Sequence, residues 1–139
     1  MNKSNEAVLL YNFDTEKLKK IKLVLIRMGI KIKIITKDLY LQSIGYLAGM
    51  KGFEKSEEIY KEEGFHDEML VMKGFTSSRI DELLKLLKKN GVERIHLKAV
   101  LTEYNQNWNS IELYKELKDE HEQMTSNAAA IPDTSQEPE

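Results

Sequence analysis

A chain of 139 residues, 41% hydrophobic and 32% charged, can bury one sizeable core, and its 21 basic and 23 acidic side chains leave a net charge of −2. The absence of cysteine excludes disulfide frameworks, Cys-ligated zinc, iron–sulfur clusters and thiol nucleophiles, and suits a reducing compartment. No apolar run approaches the roughly 18 to 20 residues that span a bilayer, and the opening Met1 to Ala7 lacks an apolar signal core, so a cytoplasmic protein with no membrane association is expected.

The first element is a strand over Ala7 to Asn12, an almost unbroken apolar run. Leu18, Ile21, Leu25 and Met28 then recur at helical spacing, with Asp14 placed to cap the free N–H groups of the first turn and Gly29 placed to end the helix left-handed. A helix over Thr15 to Met28 follows. The strict alternation of Ile30 to Thr36 predicts a strand with one buried and one wet face.

A shift of 62 positions repeats this pattern: Phe13 falls on Phe75, Asp14 on Thr76, Ile21 on Leu83, Leu25 on Leu87 and Gly29 on Gly91. The second half therefore reads as a strand over Met69 to Lys73, a helix over Ser77 to Asn90 and a strand over Arg94 to Leu101. An extra helix is expected after each half, over Asp38 to Met50 and over Asn109 to Met124. The expectation is a single domain over 1–124, with pseudo-repeats at about 7–50 and 69–124. A charged surface linker, 51–68, joins them, and a disordered tail follows over 125–139.

Strand composition favours an α/β (α+β) fold of the ferredoxin-like type, with duplicated βαβ halves forming a four-stranded sheet; a small parallel doubly wound sheet is the alternative. Strands buried on both faces should be apolar throughout, and only Val8 to Leu10 and Met69 to Met72 are. These belong in the centre. The strands interrupted by Lys31, Lys33, His96 and Lys98 belong at the edges, where lysine discourages edge pairing. The central strands then present a second apolar face, which the extra helices can cover, so a monomer or weak homodimer is expected.

Eight basic residues against one acid lie between Glu16 and Lys37. Their interleaving with apolar residues reads as a solvated face, which makes nucleic-acid binding there a secondary alternative. The histidines His66, His96 and His121 have no metal-site spacing, and neither phosphate-binding glycine motifs nor a nucleophile elbow is present. No cofactor, metal or catalytic residue is assigned. The densest group of polar residues follows the last strand, where a strand end opens onto a helix start; Lys98, Thr102, Asn105 and Trp108 are the candidate binding residues. Asn109 and Glu112 have the spacing of a capping box, which accounts for part of that polarity.

The segment Lys98-Ala-Val-Leu-Thr102, with Asn105, Trp108, Glu112-Leu113 and Glu120-His121, resembles the signature of a bacterial family, domain of unknown function 3783. The stretches Leu41 to Gly49 and Lys73 to Thr76 resemble it as well, so the likeness covers most of residues 7–124. A proline often follows the threonine in that pattern, where this chain has Glu103. The resemblance implies no activity. The expected function is a non-catalytic binding or regulatory module for an unidentified small molecule or protein. The alternative is a small enzyme whose acid/base residues Glu120 and His121 converge with Asn105 near the loop 102–108.

Overall fold

The computed structural model describes residues 5–130, with side chains through residue 124. In chain order the elements are β1 (Ala7–Tyr11), α1 (Thr15–Met28), β2 (Lys31–Ile34), a 3-10 turn (Lys37–Leu39), α2 (Ile44–Leu47), β3 (Met69–Lys73), α3 (Ser77–Lys89), β4 (Leu97–Val100) and α4 (Ser110–Ala130). The caps sit where the sequence places them. Asp14 accepts from the Lys17 N–H and Thr76 from the Arg79 N–H. Gly29 closes α1 at φ 74°, in the left-handed region that costs glycine least.

The four strands form one mixed sheet in the order β2-β1-β3-β4. β1 pairs parallel to β2, β3 pairs parallel to β4, and the central pair β1–β3 is antiparallel. The strand order differs from the expected ferredoxin-like one, in which a strand of the other half separates the two strands of each βαβ unit. The antiparallel centre likewise excludes the purely parallel doubly wound alternative. Here each helix returns the chain to the strand next door. Periodicity reports how deeply a strand is buried, and both topologies place β1 and β3 in the centre.

In the central register Leu9 lies opposite Val71, with Leu10 on Leu70 and Val8 on Met72. Side chains from these strands feed two apolar layers. Val8, Leu10, Leu70 and Met72 meet Ile21 and Leu25 of α1 and Leu83 and Leu87 of α3. On the other face Leu9, Tyr11, Met69 and Val71 meet Ile44 and Leu47 of α2, Leu113 of α4 and Phe65. The extra helices cover the second face, but not alone. The stretch 51–68, expected to be a surface linker, places Phe65 in that core at 6% exposure and lays Tyr60 against it.

The helix expected over Asp38 to Met50 is reduced to Ile44–Leu47. Residues 37–39 form a tight turn instead, with the Thr36 hydroxyl bonded to Asp38, and Ser43 caps the short helix by accepting from Tyr46. β4 begins later than expected, at Leu97. Helical backbone continues through residues 125–130, the start of the stretch expected to be disordered; the remainder, 131–139, lies outside the described residues. Among the described residues no helix is long and apolar enough to cross a membrane.

Candidate functional site

The chain leaves β4 through Leu101 and turns over residues 103–107 before Asn109 opens α4. Asn105 is buried, and its amide is spent on the turn: Oδ1 accepts from the Thr102 N–H at 2.9 Å and Nδ2 donates to the Val100 carbonyl at 3.2 Å. The Thr102 hydroxyl accepts from the N–H groups of Tyr104 and Asn105. Trp108 packs on the apolar layer beneath α2 and α4, and its carbonyl accepts from the Ile44 N–H at 2.8 Å. Asn109 and Glu112 form the capping box, each side chain accepting from the other's N–H at 2.9 Å. Three of the four candidate residues thus assemble one tight turn.

That turn has a counterpart in the first half. Thr36 and Thr102, Ser43 and Asn109, and Leu47 and Leu113 each correspond at a spacing of 66, and Ser43 and Asn109 face one another in an antiparallel bridge. The polar loop 103–108 is matched in length by residues 37–42 of the first half, although 37–39 form a 3-10 turn there. What differs is the passage before the last strand. Ala7 pairs with Lys31, whereas Met69, 62 positions on, pairs with Leu97, so the route from β3 to β4 is four residues longer than that from β1 to β2, and the added length lies between α3 and β4.

The longer passage borders a cavity of about 650 Å³, floored by Leu84, Leu87, Val92 and Ile95. Lys88, Glu93, Arg94 and Lys98 carry its charge. Lys98 is the one candidate residue that lines it, and it projects from the sheet face opposite to Trp108 because the side chains of β4 alternate. Its ammonium is half-buried and donates to the Ile95 carbonyl. Burial, and then the neighbouring Arg94 cation, hold its pKa below the usual lysine value. Among the described residues no carboxylate lies within ion-pair distance of Lys88, Arg94 or Lys98. Sequence reasoning missed every lining residue but Lys98; the readable signal was the change of spacing from 62 to 66.

A second cleft, about 590 Å³ and polar, lies beside Asn12, Tyr40, Glu63 and His66. Its groups are largely satisfied by one another: Asn12 Nδ2 donates to the carbonyls of Phe65 and Asp67, and His66 pairs with Glu63 at 2.9 Å. The acid/base arrangement is not formed. His121 lies against His96, ring centroids 5.3 Å apart, just before β4, whereas Asn105 is bonded to the strand's last residue, and Glu120 is exposed. Roughly 13 Å of strand separates the two. Among the described residues no cluster of three His, Asp or Glu is placed to hold a metal ion. In the basic stretch, Lys17 is tied to Glu68 at 2.7 Å and Lys20 reaches the Gly91 carbonyl.

A family model matches residues 68–124, which include β3, α3, β4, the cavity lining and the turn after β4, while the similar-looking stretch Leu41 to Gly49 lies outside the match. Neither the curated proteins nor the solved structures contain a match. The model that matches residues 68–124 is that of the family described as Domain of unknown function (DUF3783), to which this part of the chain is similar.

Proposed function

We propose that the protein is a non-catalytic binding module that seats a small molecule in the cavity between α3 and β4. One observation carries this reading: a cavity of about 650 Å³ with an apolar floor holds a half-buried lysine at its charged rim. A cavity of this size, mostly apolar with a few convergent polar groups, is the usual form of a small-molecule site. The separation of Asn105 from His121 supports the non-catalytic reading. The two halves are read as a duplication, supported by matched caps at a spacing of 62 and matched turns at 66, with the second half altered where the cavity opens. The cover that α2 and α4 give to the second sheet face supports a monomer or weak homodimer, and the lack of cysteine suits the cytoplasm.

The test is backbone amide NMR of the full chain against a panel of neutral, anionic and cationic organic fragments. Binding is expected to move the amides of Val92, Ile95 and Lys98 more than those of Thr102 to Trp108. A panel that moves neither group, or only the second, overturns the reading.

A further inference from the structure

We infer that the cavity between α3 and β4 takes an amphipathic carboxylate, its head among Lys98, Arg94 and Lys88 and its hydrocarbon body on Leu84, Leu87, Val92 and Ile95. The inference rests on the cavity being the binding seat and names the chemical class of its occupant.

The charge on the rim selects the head. Three cations and one carboxylate, Glu93, line the cavity, and none of the cations has an ion-pair partner among the described residues. Half-buried Lys98 and exposed Arg94 line the same rim, where burial, and then the Arg94 charge, disfavour the charged lysine. A carboxylate placed there accepts charge-assisted hydrogen bonds and relieves the repulsion. The end of α3 that borders the cavity is its C-terminus, where Leu84, Leu87 and Lys88 lie. The negative end of the helix dipole opposes an anion in proportion to its charge, so the three cations offset it more readily for a monoanion than for a dianionic phosphate.

The floor selects the body. Leu87, Val92 and Ile95 are 4 to 7% exposed and belong to the core beneath the sheet, so a chain laid on them leaves water at little conformational cost to the protein. Each methylene buried there contributes a tightening of about fourfold.

Calorimetric titration of the full chain with unbranched carboxylates from butanoate to decanoate, and with 1-alkanols and alkylammonium ions of equal length, tests the inference. Affinity is expected to rise about fourfold per methylene until the floor is covered. Octanoate should bind at least about tenfold tighter than octanol, the worth of one charge-assisted bond. Lys98→Met should erase that preference and leave octanol unaffected. Arg94→Gln, at an exposed position and therefore neutral for folding, should reduce it about threefold, as expected of a partly exposed charge. Octanol or octylammonium binding as tightly as octanoate, or an undiminished preference in both variants, overturns the carboxylate while leaving the cavity as the seat. Failure of every series to bind overturns both.

Discussion

Tyr11 stands at the end of a central strand with no exposed surface, and its hydroxyl lies 2.7 Å from the Ser110 Oγ, itself fully buried. Burial outweighs that hydrogen bond and pushes the phenol pKa far above its ordinary value of 10.0. Because the folded state holds the proton and the unfolded state releases it, this contribution to stability is complete below about pH 10 and is lost as pH rises beyond it. Tyr11→Phe is expected to cost about 1 to 2 kcal/mol near neutral pH, since Ser110 loses its partner. The deficit should shrink by the slope of one proton above pH 10. Urea titrations of both proteins from pH 7 to 11 check this; a deficit that stays constant contradicts it. Among the candidate site residues, the polar types of Thr102 and Asn105 were legible in the sequence, but the direction of their bonds was not. The same amide that could greet a ligand instead holds Thr102 and Val100 together, a choice set by backbone geometry after β4.

At the scale of elements, Arg79 joins three of them. From α3 its Nε and Nη2 reach both carboxylate oxygens of Glu6, beside β1, at 2.7 and 2.6 Å, and Nη2 also donates to the Met28 carbonyl at the end of α1. The position one half earlier, Lys17 on α1, reaches Glu68 beside β3 at 2.7 Å. The fork of guanidinium satisfies acceptors on two elements at once, which the single ammonium does not. Arg79→Met is therefore expected to cost about 2 kcal/mol and Lys17→Met about 1 kcal/mol or less. Chemical denaturation with matched m-values distinguishes the two, and equal losses would show that the fork adds nothing. Helices α1 and α3 were legible because stripe, cap and terminator agree within one short window. α2 was not, because Leu39, Ile44 and Leu47 carry a helical spacing that the Thr36–Asp38 turn and the Ser43 cap interrupt.

Across the whole molecule, β1 and β3 are paired on both sides and covered on both faces, whereas β2 and β4 each leave one side unpaired among the described residues. Amide exchange should be slowest at Leu9, Leu10, Leu70 and Val71 and measurably faster at Ile32 and Ala99. Equal protection across the four strands would contradict this account of the sheet. The depth of each strand was legible in composition; its neighbour was not, since the side-chain alternation that marks an edge is the same whichever edge it is. The burial of Phe65 escaped notice for a related reason: Phe53, Tyr60 and Phe65 are scattered among the charges of the run 51–68 with no sustained strand or helix period to mark a buried face. The longer connection between α3 and β4 ends before strand pairing begins, and the parallel register of β3 with β4 runs undisturbed from Met69 to Met72. The entropy of closing a connection grows only with the logarithm of its length, so that even doubling it costs roughly 0.6 kcal/mol. The exposed positions Glu93, Arg94 and His96 can thus change, and the passage around them can lengthen or shorten, at small thermodynamic expense while Val92 and Ile95 stay anchored in the core, so the mouth of the cavity is free to be reshaped for different occupants and the sheet behind it stays as it is.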